Sequence, residues 1–160
     1  LIPFSEVRVG QDWSSVATIC GNRLLGLPVR LHGIQLGRPV DLLLDREELR
    51  VLGLDVLCGD DVHRFLALPT ASLAEDSILI KSPLVLLEED ELDFYRTRAL
   101  ALSSLRGRPI EQRGREVGPL DDIVIGSDGF VRQLIVARDG GELLDFDETV
   151  RIADASRSAA

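Results

Sequence analysis

The sequence predicts an all-β protein: two tandem copies of one small β-barrel, joined by a short acidic helical segment. Three observations lead there. The same glycines, prolines and apolar blocks recur when the chain is shifted by about 81 positions. Short leucine- and valine-rich runs alternate with turn signals every ~8–12 residues, the spacing of small barrels and sandwiches. One segment alone carries the charge pattern of a helix. The chain has 160 residues, 45% of them hydrophobic. That is enough apolar material for two very small cores and too much for wholesale disorder.

The first copy is expected over residues 1–87. It opens its motif with Gly26, Pro28 and Val29, reaches Gly37, and then runs Asp41-Leu42-Leu43-Leu44. Asp45-Arg46-Glu47-Glu48 makes the turn, and residues 49–57 return. Residues 62–68 form a further strand ended by Pro69, which cannot donate to a ladder, and residues 77–80 form another. Residues 88–98 are the connector. Glu88-Glu89-Asp90-Glu91 at its start and Arg96 and Arg98 at its end oppose a helix dipole.

The second copy is expected over residues 99–152. Gly107, Pro109 and Ile110 fall on Gly26, Pro28 and Val29; Gly118 falls on Gly37, and Asp122-Ile123-Val124-Ile125 on Asp41-Leu42-Leu43-Leu44. With one residue dropped from the next turn, Val131, Leu134 and Val136 match Val51, Leu54 and Val56. Gly126-Ser127-Asp128-Gly129 supplies residues tolerant of positive φ for a hairpin loop, and Asp139-Gly140-Gly141 closes the return strand. The tail, 153–160, is small and polar and is expected to fray.

The run Leu105-Arg106-Gly107-Arg108-Pro109-Ile110, followed by Gly118-Pro119-Leu120-Asp121-Asp122-Ile123-Val124-Ile125 and Gly129-Phe130-Val131, resembles the PRC-barrel family. The first copy resembles it more loosely, through Leu25-Gly26-Leu27-Pro28-Val29 and Gly37-Arg38-Pro39-Val40-Asp41. Its turn, Asp45-Arg46-Glu47-Glu48, lacks the family's glycine. The resemblance implies a partly open barrel of about six strands in each half. It also implies a role in docking onto other proteins, as in the cytoplasmic subunit of the photosynthetic reaction centre, ribosome maturation factor and small bacterial and archaeal proteins. The motif residues Gly26, Pro28, Gly37, Asp41, Gly107, Pro109, Gly118, Asp122, Asp128 and Gly129 then read as structural. Asp41 and Asp122 are expected to accept backbone N–H bonds in turns.

Composition narrows the function classes. A net charge of −9, a single lysine (Lys81) and 4% aromatic residues leave neither a basic stripe for phosphates nor rings for stacking bases. No direct nucleic-acid partner is expected. Apolar runs such as Leu84-Val85-Leu86-Leu87 fall far short of the ~20 residues that span a bilayer, so no membrane insertion is expected. Without a leader-like start, a reduced cytoplasmic setting is the default. Cys20, His32, Cys58 and His63 match no closed zinc spacing; two reduced thiols and two loop histidines is the other reading. Carboxylate pairs such as Asp60-Asp61 and Asp121-Asp122 would serve acid–base chemistry only in a shared cleft. With no nucleophile elbow, phosphate loop, dinucleotide fingerprint or cation loop, no enzyme, cofactor or metal is expected. The expected role is a cytoplasmic adaptor that binds a protein partner or a second copy of itself. The alternative is a ribosome-maturation or RNA-processing accessory factor that acts through a ribosomal protein. The acidic run 88–93 reads either as a dock for a basic partner or as a solvated helix start.

Overall fold

The computed structural model describes residues 11–12, 18–126, 128–138 and 140–153. Ser127 and Asp139 of the two anticipated turns, the chain start 1–10 and the tail 154–160 lie outside the described residues. The protein is predominantly β-sheet. Short strands β1 (Gln11–Asp12) and β2 (Thr18–Cys20) lead into a helical turn, α1 (Gly21–Leu25). β3 (Val29–Leu31), the long β4 (Ile34–Leu44), β5 (Val51–Cys58) and β6 (His63–Ala67) follow as an antiparallel meander. A single 3-10 turn at Leu68–Thr70 leads to β7 (Ser72–Leu73) and β8 (Ile78–Leu79). A second, at Pro83–Val85, precedes β9 (Leu86–Leu87). The longest helix, α2 (Glu89–Arg98), separates this half from a second series: β10 (Leu100–Ala101), the turn α3 (Leu102–Leu105), β11 (Pro109–Gln112), the long β12 (Arg115–Gly126), β13 (Val131–Val136), β14 (Glu142–Asp145) and β15 (Val150–Ile152).

Helix α2 carries Glu89, Asp90 and Glu91 in its first turn and Arg96 and Arg98 in its last, each sign set against the macrodipole. The β3–β4 and β11–β12 hairpins turn on His32-Gly33 and Arg113-Gly114. Both residues of each pair have positive φ (49° and 83°; 51° and 79°), the geometry that matches the twist of flanking strands. The Asp45–Glu48 turn has no glycine. The Asp45 carboxylate instead accepts from the N–H groups of Glu47 (2.8 Å) and Glu48 (3.0 Å), and Leu49 takes φ 51°.

The strands form two sheets. The first runs β1-β7-β8-β3-β4-β5-β6-β9, with β10 added against β4; the second runs β14-β13-β12-β11-β15, with β2 added against β12. Neither sheet closes on itself among the described residues, so in place of the two expected barrels the strands lie in two open sheets. One difference between the halves is in direction: β8 lies parallel to β3, whereas β15 lies antiparallel to β11.

The core is continuous across both halves. Leu24, Leu42, Leu44 and Leu54 pack in one cluster with Leu102, Leu105, Ile123, Ile125 and Leu134. Each fully buried leucine contributes roughly 2 kcal/mol of transfer free energy, so separating the halves would expose a large share of the driving force. A smaller cluster of Leu43, Phe65, Leu92 and Ala99 lies beneath α2.

Candidate functional site

Three of the recurring motif residues, Asp41, Asp122 and Gly129, make contacts across the joint between the halves. β2 precedes the first meander yet pairs with β12 (Cys20 with Val124, Ile19 with Ile125). β10 precedes the second meander and pairs with β4 (Ala101 with Leu43, Leu100 with Leu44). Each pair is the other moved by the 81-residue shift. Between the two turns, Arg50 and Phe130 form an antiparallel bridge, with Val51 N–H donating to Gly129 O (2.8 Å) and Val131 N–H to Leu49 O (3.1 Å). The Arg50 guanidinium lies over the Phe130 ring.

Asp41 and Asp122 sit inside the long strands β4 and β12, not in turns. Both strands slip register there, between Pro39 and Asp41 and between Leu120 and Asp122, and the bulge turns each carboxylate toward the other half's helical turn. Asp122 accepts from Asn22 N–H of α1 (2.9 Å) and Asp41 from Ser103 N–H of α3 (3.1 Å) and the Ser103 hydroxyl (2.5 Å). Each also accepts from the next residue's N–H, Ile123 or Leu42. The two caps differ in burial. Asp122 is 4% exposed and has Arg106 at 3.7 Å, whereas Asp41 is half-buried. A helix cap contributes about 1 kcal/mol, and a buried one costs more to break because its partners are stranded.

The other motif residues are architectural too. The carbonyl of Pro28 accepts from Ile78 N–H and that of Pro109 from Ala153 N–H, both at 2.8 Å. Gly37 and Gly118 let strands pass closely: a Cβ at Gly37 would meet Leu57 O at 2.6 Å and Val56 Cγ1 at 2.9 Å, and one at Gly118 would meet Val136 Cγ1 at 2.7 Å. Gly26 has an ordinary helical φ of −81°, while Gly107 needs its glycine at φ 88°. Asp128 accepts from Phe130 N–H (3.1 Å) and pairs with Arg132, and Gly129 (φ 85°) is held by its contact with Val51.

The four residues weighed for zinc are spread over the first half. Cys20 is in β2, His32 in a hairpin turn, Cys58 at the end of β5 and His63 at the start of β6. No group of three or more His, Cys, Asp or Glu side chains is arranged to hold a metal among the described residues. His63 has one polar partner that sequence reading missed. Its Nδ1 lies 2.8 Å from Oδ1 of Asp55, a carboxylate only 6% exposed, whose other oxygen accepts from Arg96 at 2.7 Å. That bond holds the Arg96 guanidinium above its ordinary pKa. The third member of this set is a guanidinium from α2 rather than a hydroxyl or thiol, so the geometry is that of a lock fastening helix to sheet. Tyr95 stacks on Phe65 beside it, ring centroids 4.0 Å apart.

A cleft of about 530 Å³ lies at the Cys58 end of β5, between β4, β5 and the segment before α2. Leu36, Cys58 and Leu86 form its apolar lining, and Leu84, 84% exposed, stands on its rim. Arg64 lines the cleft and binds Asp60 through both carboxylate oxygens (3.0 and 2.9 Å), which holds the Asp60 carboxyl below its ordinary value. No helix among the described residues is long and apolar enough to cross a membrane.

No family model matches the chain, and no curated protein matches it closely.

Proposed function

We propose that this chain is a tandem pair of PRC-barrel-like domains acting as a non-catalytic adaptor that docks a protein partner. The halves are read as copies related by an approximate two-fold axis through the Arg50–Phe130 bridge. The reciprocal strand and cap pairs at the 81-residue shift support that reading. Of the motif residues carried over from the family resemblance, Asp41, Asp122 and Gly129 join the two halves and the others brace their own half. Such a joint makes a rigid platform, and function then belongs to its outer surfaces.

The observation that carries docking is the cleft beneath Leu84. A large apolar side chain left almost fully in water beside an apolar-lined cleft and a fixed Arg64–Asp60 pair has the composition of a binding patch with a polar rim. The test is purification of the tagged chain from its native cell beside the Leu84→Asp variant. A stoichiometric partner recovered with the parent and lost with the variant is expected. Recovery that is identical for both chains would contradict docking at this cleft. Sedimentation with ribosomal particles would move the assignment to the accessory-factor alternative, and a concentration-dependent dimer would make the partner a second copy.

A further inference from the structure

A different cleft, of about 440 Å³, opens at the joint itself. Its floor draws on both halves: Leu49 from the first turn, Leu100 and Leu105 from β10 and α3, and Phe146, Val150 and Ile152 from the far end of the second sheet. Arg46, Arg108 and Arg151 stand around it, with Glu47 and Glu48. Each guanidinium is fastened through Nε alone. Arg46 donates to Arg98 O (3.0 Å), Arg108 to Ser104 O (3.0 Å) and Arg151 to Glu111 Oε1 (2.7 Å). A guanidinium has five N–H donors. The terminal amino groups of these three make no hydrogen bond among the described residues, so anchored arms present unused donors over an apolar floor.

In the first half the matching positions are filled by apolar side chains. Matching strand registers place Ile19 at the position of Leu100, Leu24 at Leu105, Leu27 at Arg108 and Leu68 at Phe146. All four of these first-half residues are buried. There the chain passes from β6 to β8 through residues 68–77, which pack Leu68, Ala71, Leu73 and Ala74 inward. The second half connects β14 to β15 through residues 146–149 only. The shorter connection leaves the position unplugged, and an arginine replaces the leucine that seals it in the other half.

We propose that this cleft binds a small amphipathic anion, a single carboxylate on an aliphatic body. The volume lies in the ordinary range of small-molecule sites, ~300–1,000 Å³. The aliphatic body lies on the leucine and phenylalanine floor, and the carboxylate accepts from the terminal amino groups of Arg46 and Arg108, the fork geometry that suits this pairing. Arg151 is paired with Glu111, which leaves Arg46 and Arg108 as the cations that meet the carboxylate. The −9 charge of the whole chain repels an acidic macromolecule at long range far more than a small ligand seated in the cleft.

The test titrates the full chain with decanoate, decanol and decyltrimethylammonium, following methyl and amide NMR signals with calorimetry in parallel. Decanoate is expected to give saturable shifts at Leu49, Leu100 and Val150 and to bind about tenfold or more tightly than either control, the scale of a charge-assisted hydrogen bond. Arg108→Leu, which installs the residue type of the sealed half, is expected to weaken decanoate by a similar factor. Arg46→Gln is expected to do the same and serves where the first variant loses its fold. Absence of saturation, shifts confined to other surfaces, equal binding of the alkylammonium, or unchanged affinity in the folded arginine variants would each overturn the proposal.

Discussion

The two sheets present the same register positions to solvent in opposite ways. In the first half Phe65 pairs with Asp55 and is 1% exposed, because β9 pairs alongside it and α2 lies over it. In the second half Leu143 pairs with Ile135 at the matching place and is 49% exposed, and β14 is an outermost strand. Around that site Leu52 and Ala67 of the first half give way to Arg132 and Asp145, both exposed, and Gly53 gives way to Gln133. A helix roof and an apolar face go together, as do a bare edge and a polar face. The acidic helix is therefore part of the first half's core and not merely a spacer. Its Leu92 is fully buried, and its Arg96 reaches the buried Asp55.

Removing the roof's main anchor should have the largest effect. Leu92→Ala deletes a fully buried side chain and should destabilise by roughly 3 kcal/mol, whereas Leu143→Ala should stay within about 0.5 kcal/mol. Urea unfolding of the two variants checks this, and equal effects would mean that the helix roof is not a true difference between the halves. Next is Gly53→Ala. The added methyl would run into Leu66 O and the Phe65 ring, a cost of about 2 kcal/mol. Gln133→Ala, at the matching place with no such ring above it, should be near neutral in the same assay.

These contrasts also show what the sequence disclosed. The Asp45–Glu48 turn and the helix at 89–98 are legible because their signals are local: a polar run between two apolar strands, and acids ahead of bases; the His32-Gly33 and Arg113-Gly114 turns carry only a lone glycine and are not. The exchange of β2 and β10 is not legible. Thr18–Cys20 and Leu100–Ala101 are too short for any periodicity to show, and only their partners about a hundred and about sixty residues away make them strands. Asp41 and Asp122 stand out in the sequence by recurrence, but a carboxylate capping a distant helical turn looks the same there as one closing a local turn. The Asp55–His63–Arg96 lock has no counterpart in the second half, where Ile135 occupies the position of Asp55, so the repeat could not reveal it. The joint cleft depends on a difference in connection length, visible only once the strands are placed.

The smallest expected effect is on acid sensitivity. Hydrogen bonds lower the carboxyl pKa of Asp45 (from the Glu48 and Glu47 N–H groups), Asp60 (from Arg64) and Asp147 (from the Thr149 hydroxyl and N–H). A carboxyl lowered on folding adds stability above its unfolded value of 3.8, and that stability is lost as pH falls through the lower folded value. Urea midpoints should therefore show no contribution from these three groups near neutral pH and a shallow decline from about pH 4 downward. Asp60 and Asp147 are exposed and Asp45 is half-buried at the surface, so the decline is small. Two of them lie in the first half, so Asp45→Asn with Asp60→Asn should flatten it more than Asp147→Asn.

The central claim is that the halves are one cooperative body, joined by exchanged strands and crossed caps. Native-state hydrogen exchange on the full chain carrying Asp122→Ala tests it most directly. That substitution strands the N–H groups of Asn22 and Ile123 and should cost about 2 kcal/mol. If the joint is cooperative, the slowest amides of β5 in the first sheet and of β13 in the second lose protection by the same factor. Loss confined to β11–β15, with β5 protected as in the parent chain, would contradict it.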